Sequence, residues 1–402
     1  MSRRGTLPLL LAAVLAIGCG AKTGLFVPDG ERDAEPDARD NCVEVDPETL
    51  TADLDLDVAT KLLSADVFFL VDCTGSMRGE IANIQQGLTD TIVPGALAQI
   101  PDVRFGVGAF GDFPIDPYGE RGDTPFEMRR AVTGDIGAVQ AAIDGLPYYD
   151  GADLPESQVE ALYQVATGEG LETFVPPAPG CPQPGLGYPC FREGSQPVIV
   201  LVTDAPFHNG PGWAYPYTGF TPMPHRYEDA VDALDRVRAR VIGIASEPDA
   251  RDHLEQLARA TGAVDTDGVP LVYSVSSSGT GLDIEVVRGI ESLALRVPLD
   301  VDAVSLDWPG DDLDATILIE RIEAVSADPP AGVDRIEGNT FYNAQPGTRL
   351  AFRVYVDVSV IPRPPTVRVY PVIVRIRGNR VSVLREETLY IAVPGLDGTT
   401  GC

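Results

Sequence analysis

The chain has 402 residues, and its 60 Asp and Glu against 30 Lys and Arg leave a formal charge of −30. That balance argues against nucleic acid as a partner, because phosphates need cationic side chains, and against direct adhesion to an anionic bilayer. The length suffices for two ordinary domains.

The first residues, Met1-Ser-Arg-Arg4, precede an apolar run from Leu7 to Ile17 and then Gly18-Cys19. A basic start, a short apolar core and a small residue at the cut predict a secretory signal over residues 1–18. The run is too short to stay in a bilayer as a spanning helix. Leu15-Ala-Ile-Gly-Cys19 resembles a bacterial lipobox. The resemblance implies that Cys19 is lipidated and opens the mature chain. With Gly20 next, it also implies a cell-envelope protein of the outer membrane, touching the membrane only through its lipid anchor. Residues 19–41 follow as the lipidated cysteine and a tether, rich in Gly, Pro, Asp and Glu.

Within residues 42–61, Leu54, Leu56 and Val58 alternate with Asp55 and Asp57 and read as a strand. This strand is expected to join the C-terminal sheets. Cys42 and Cys402 bracket the folded region, and a bond between them would close it. Residues 62–296 then alternate strand and helix. Strands are expected at Val67–Val71, Val103–Phe110, Val198–Thr203, Val241–Ala245 and Leu271–Val275. Helices are expected at Gly79–Ile100, Gly134–Leu146, Ser157–Thr167, Tyr227–Arg238, His253–Thr261 and Gly281–Leu295. In the first of these Ile81, Ile84, Leu88, Ile92 and Leu97 lie near one face, and Pro94 should kink or interrupt its last turns. The pattern predicts an α/β fold with a doubly wound, mostly parallel sheet.

From Val297 the character changes. Val297–Trp308, Ala315–Ile322, Thr348–Val360, Thr366–Arg377 and Val381–Val393 are rich in Val, Ile, Tyr, Arg and Thr, with Pro and Gly between them. Residues 297–402 therefore read as an antiparallel β-sandwich.

The chemistry concentrates after the first α/β strand. The apolar run Val67–Val71 delivers Asp72 to a strand end, and Thr74 and Ser76 follow at alternate places. One carboxylate and two hydroxyls can converge if the turn curls around a point, and oxygen donors suit a hard divalent cation. Carboxyl ends of parallel strands are where such sheets bind ligands. Cys181 and Cys190 close a Pro/Gly loop and read as a local disulfide, while Cys73 reads as a packed thiol.

Asp72-Cys-Thr-Gly-Ser76-Met77 after an apolar strand resembles the metal-ion-dependent adhesion site of von Willebrand factor A domains. Val198-Ile-Val-Leu-Val-Thr203-Asp204 looks like that family's strand ending in Thr-Asp. Asp153-Leu-Pro-Glu156 before a helix resembles the acidic loop of integrin β subunits. The resemblance runs from about Leu62 to Leu295. It implies Ser76, Thr74 and Glu156 as close metal ligands, and Asp72 and Asp204 as ligands directly or through water. The ion would be Mg2+ or Mn2+, with Ca2+ as a further alternative. One coordination place would be left for the acidic residue of a protein partner. The integrin-type pattern has two acidic residues shortly after the motif, to hold a secondary cation. Here those places are Gly79 and Glu80, so Glu80 and Asp153 are the candidates for that role.

Catalysis is not expected. Asp72-Cys-Thr-Gly-Ser76 resembles the aspartic protease word only with Cys73 inserted, and no second copy appears. Thr74 stands where a nucleophile elbow needs Gly. Arg121-Gly-Asp123 reads as a polar turn. Two functions stay open: metal-bridged adhesion or protein–protein interaction, and a structural envelope assembly component with a purely structural metal site.

Overall fold

The computed structural model describes residues 41–402. The signal peptide, the Cys19 lipidation site and nearly all of the tether lie outside the described residues. Among the described residues no helix is long and apolar enough to cross a membrane.

Two strands come first, β1 (Cys42–Glu44) and β2 (Thr51–Ala59). The α/β unit follows with β3 (Ser64–Asp72), α1 (Arg78–Gly87), α2 (Val93–Gln99), β4 (Asp102–Phe110) and β5 (Glu127–Thr133). It continues with α3 (Ile136–Asp144), α4 (Gln158–Thr167), a hairpin of β6 (Gly185–Leu186) and β7 (Phe191–Arg192), and β8 (Gln196–Thr203). It ends with α5 (Tyr227–Arg236), β9 (Arg240–Ala245), α6 (Pro248–Ala260), β10 (Val272–Ser274) and α7 (Leu282–Arg296). The remaining strands are β11 (Leu299–Asp307), β12 (Ile319–Asp328), β13 (Arg335–Glu337), β14 (Thr340–Ala344), β15 (Arg349–Asp357), β16 (Arg368–Gly378) and β17 (Ser382–Val393).

The α/β sheet has the order β10-β9-β8-β3-β4-β5. All neighbours are parallel except β4 and β5, which are antiparallel. From β3 the chain first builds outward through β4 and β5. It then crosses back to β8 on the other side of β3, so the winding reverses between β3 and β8. Their carboxyl ends flank the crevice that such a reversal opens. Helices cover both faces, so the central runs of β3 and β8 are apolar: Val67 to Val71 and Val198 to Val202 are buried in one continuous core with Ile81, Ile84, Leu254 and Ile290.

The first helix is not the single kinked segment the periodicity predicts. α1 passes through a π-helical turn at Leu88–Ile92 before α2. Pro94 sits in the first turn of α2, where its missing N–H costs nothing. The helix expected at His253–Thr261 starts earlier, at Pro248. The segment expected as a strand at Ala315–Ile322 opens as a 3-10 turn, Ala315–Leu318, and becomes a strand only at Ile319. Asp314 caps that turn through Thr316 N. β5, β13 and β14 were not anticipated.

Two antiparallel sheets lie outside the α/β unit, β1-β17-β16-β11-β14-β13 and β12-β15-β2. Only β1 runs parallel to its neighbour, β17. Inward residues alternate along β15, and Leu56, Val354 and Val356 of one sheet share a buried cluster with Val372, Val374, Leu389 and Ile391 of the other. A second cluster joins Val58, Leu350 and Phe352 to Val301, Phe341 and Ile376. β2 pairs with β15 from Thr51–Asp357 to Ala59–Arg349. The chain thus leaves these sheets after β2 and returns to them at β11.

Cys42 is bonded to Cys402, and Cys181 to Cys190; Cys73 is a buried free thiol. A bond spanning 360 residues removes much chain entropy from the unfolded state. Cys402→Ser should therefore lower stability by about 2–4 kcal/mol, read as a shift in the denaturant midpoint. An unchanged midpoint would mean that the β1–β17 pairing alone holds the ends.

Candidate metal centre

β3 carries Asp72 to the carboxyl edge of the sheet, and the chain then turns sharply. Gly75–Met77 forms one 3-10 turn, closed by Met77 N donating to Thr74 O at 3.0 Å. The turn folds the alternate residues of the motif onto one point. Thr74 N and Thr74 Oγ1 both donate to Asp72 Oδ1, at 3.0 and 2.7 Å, and Thr74 Oγ1 lies 3.4 Å from Ser76 Oγ. Asp72 Oδ2 accepts from Thr203 Oγ1 of β8 at 2.7 Å, so the neighbouring strand fixes the carboxylate.

A second segment is laid across the turn. Tyr149 N donates to Cys73 O at 2.8 Å, and Thr74 and Tyr149 form a parallel bridge. Asp123 holds the segment from behind, accepting from Asp150 N at 3.1 Å and Gly151 N at 3.0 Å. Arg121-Gly-Asp123 thus has its carboxylate buried in a structural role. Gly151 adopts a left-handed φ of 66° beside Glu156 Oε1. Farther on, Glu156 N donates to Pro206 O at 3.1 Å, and His208 N donates to Glu156 O at 2.9 Å. The loop after β8 is therefore stitched to the acidic loop.

Together these segments enclose a cavity of about 260 Å³ lined by Thr74, Ser76, Asp153, Glu156 and Asp204, among others. Asp72 lies beneath it, fully buried. The structure thus brings Asp72, Thr74, Ser76, Glu156 and Asp204 to one place. Burial, then the Asp204 carboxylate, pushes Asp72 up to about 7. Burial, then the Asp72 carboxylate, pushes Glu156 well above its ordinary value. Glu156 Oε2 is buried without a hydrogen-bond partner among the described residues. An all-oxygen donor set, clustered carboxylates and an orphaned oxygen fit a hard divalent cation, which would supply the counter-charge that both buried groups lack.

The secondary candidates separate. Glu80 does not line this cavity; it is buried at the start of α1, and burial raises its carboxyl. The place before it is Gly79 for a steric reason. A Cβ there would stand 2.7 Å from the Ser278 backbone, so no acidic side chain fits. Asp153 instead meets two residues that the motif does not contain. His208 Nε2 lies 3.2 Å from Asp153 Oδ2 and 3.4 Å from Asp112 Oδ2. Asp112, Asp153 and His208 can each offer one atom to a common ion. The His208 ring is oriented by Tyr215 O, 2.7 Å from Nδ1, leaving Nε2 facing the carboxylates. Tyr217 OH donates to Asp112 Oδ1, and burial pushes Asp112 well above its usual value. The signal for both missed residues was positional. Asp112 follows the end of β4 by two residues, and His208 follows Asp204 by four.

The aromatic cluster after β8 divides in two. Tyr217 is buried against Phe113, Tyr118 and His208, whereas Trp213 and Tyr215 are half exposed.

No family model matches the chain, and no curated protein matches it either. Among solved structures it is similar to a von Willebrand factor type A protein from Catenulispora acidiphila. The identity is 14% and the TM-score 0.37, over 86% of this chain and 74% of that one. It is similar to proximal thread matrix protein 1 of the mussel byssus at 15% identity and a TM-score of 0.35, over 62% of this chain and 50% of that one. It is also similar to the pilus adhesin SpaC from Lactobacillus rhamnosus GG at 11% identity and a TM-score of 0.34, over 88% of this chain and 46% of that one.

Proposed function

We propose that residues 62–296 are a von Willebrand factor A domain that binds a divalent cation and uses it to capture a carboxylate of a protein partner. The observation that carries this reading is the buried, unpartnered Glu156 Oε2 beside Thr74, Ser76 and Asp204 in an open cavity. Asp72, Thr74, Ser76, Glu156 and Asp204 would hold Mg2+ or Mn2+. When bound, the ion supplies an electrophilic point for an incoming carboxylate. The protein's own part is to orient the oxygens and to offer apolar contact around them. Leu154 is exposed at the cavity rim. Asp112, Asp153 and His208 are the donors for a second cation beside it.

We further read the two antiparallel sheets as a sandwich into which the metal-binding domain is inserted, and Cys19 as the lipid anchor of an outer-membrane protein. The leader pattern supports the anchor, and mass spectrometry of the N-terminal peptide tests it. An unmodified Cys19 in membrane-extracted protein would remove it.

The functional test is partner capture by crosslinking on envelope extracts, with Mg2+ and with chelator. Captured partners should fall by at least about tenfold on chelation, and equally in Asp72→Ala, since a lost charge-assisted contact is worth that much. If Asp72→Ala loses the cation but keeps its partners, the ion is structural, and the assembly-component function stands instead.

A further inference from the structure

A second polar cavity lies at the other end of the α/β sheet, where that unit meets the antiparallel sheets. Its volume is about 330 Å³, and its lining includes Arg238, Arg240, Arg259, Arg380, Asp235 and Asp300. Four arginines against two aspartates reverse the sign of a chain that carries twice as many acids as bases. One arginine and one aspartate of this lining neutralise each other, which leaves Arg240, Arg259 and Arg380 against Asp300. Asp235 pairs with Arg238 at 2.7 Å, and Asp300 Oδ1 accepts from Asn343 N at 3.0 Å.

The other arginines lack carboxylate partners within ion-pair distance among the described residues. Arg240 opens β9 and is largely buried; its Nη1 donates to Thr261 O at 2.9 Å. Burial lowers its guanidinium from the usual arginine value, the direction expected of a charge short of compensation. Arg259 Nη1 donates to Gly268 O at 3.0 Å. Arg380 is exposed and sits in the turn between β16 and β17, where Asn379 and Arg380 have φ of 52° and 64°. Two left-handed residues favour Asn-Gly, so an arginine in the second place carries backbone strain. Gly262, at a left-handed φ of 69°, leaves room for the Arg240 guanidinium: a Cβ there would stand 1.6 Å from Arg240 Nη1. The helix-ending glycine clears the space that the guanidinium fills.

We propose that this junction cavity binds a small multivalent oxyanion, a phosphate or phosphomonoester, between Arg240 and Arg259 of the α/β unit and Arg380 of the antiparallel sheets. Planar guanidinium forks match phosphate oxygens in pairs, and the cavity has the size of a small-ligand site. A free anion is favoured over a lipid headgroup, because the acidic body is repelled by an anionic surface. Because the cavity is lined from both parts of the molecule, the bound anion cross-links them. The metal centre takes no part in this binding.

The test is calorimetric titration of the full-length protein, free of divalent metal, with inorganic phosphate and then pyrophosphate. Saturable one-to-one binding is expected. Arg380→Glu, on an exposed turn, should weaken it by about tenfold or more. Asp72→Asn should leave it unchanged, which separates this site from the metal centre. Absence of saturable binding, or unchanged affinity in Arg380→Glu with its circular dichroism intact, would overturn the proposal. So would co-sedimentation with phosphatidic acid vesicles by a protein that does not respond to phosphate.

Discussion

Magnesium should stabilise the metal-free protein far more at about pH 8 than at about pH 5, and Asp72→Asn should erase the difference. The cause is the burial of Asp72, with the Asp204 carboxylate beside it. Burial and the Asp204 carboxylate raise its folded value to about 7, from 3.8. A carboxyl whose value is raised by folding favours the fold while it is protonated. That contribution is fully present below about pH 4, where the unfolded group also holds its proton, and is lost as pH rises through about 7. The metal-free fold should thus weaken across this window, by on the order of 4 kcal/mol for Asp72 alone. A cation replaces the proton as counter-charge, so its stabilising effect grows where the proton has left. Thermal melts at the two pH values, with and without millimolar Mg2+, read the difference directly. An equal Mg2+ effect at both, or a surviving effect in Asp72→Asn, would show that the cation binds elsewhere.

Arg192→Ala should cost about 3–5 kcal/mol. Asp66 lies in β3 with its side chain fully buried. Arg192 answers it three ways: the backbone N donates to Oδ2, Nε donates to Oδ1 at 2.8 Å, and Nη2 lies 2.7 Å from Oδ1. Arg192 Nη1 also reaches Asp102 at 2.6 Å. Removing the guanidinium strands a buried carboxylate. Burial already holds Asp66 above its usual value, and the variant raises it further. By the same sign argument, the deficit should shrink as pH falls toward the ordinary carboxylate range. Asp66→Asn placed on top of Arg192→Ala should recover part of the loss. A double variant no more stable than Arg192→Ala would show that the cost comes from lost packing of the β6–β7 hairpin.

These two sites differ in how far the sequence exposes them. Asp72, Thr74 and Ser76 are legible because one short turn after one buried strand brings them together, and local spacing encodes that. Asp112, His208 and Thr203 arrive from other strand ends, and only the order of strands in the sheet makes them neighbours. Arg192 reads as an ordinary charge beside a disulfide loop, because nothing local marks Asp66 as its partner. Gly79 reads as a missing ligand until Ser278 is seen against it. β5 escapes notice for a different reason. As an edge strand it is half-buried along most of its length, so Glu127, Arg129 and Arg130 break the alternation that marks a strand with one buried face. The π-helical turn at Leu88–Ile92 keeps the apolar face continuous, so periodicity reads straight through it.

The Cys42–Cys402 bond has a mechanical meaning as well. A pull applied at residue 41 acts on β1 and, through the sulfur bridge, on Cys402 at once. Force applied at the carboxyl edge of the α/β sheet leaves that unit through two chain crossings, residues 60–63 and 297–298. It then spreads into sheets whose neighbouring strands are paired along their lengths. Neither β1 nor the segment after β17 can be drawn away alone while the sulfur bridge is intact, so a reducing agent should lower the force these sheets withstand well before it disturbs the candidate metal centre.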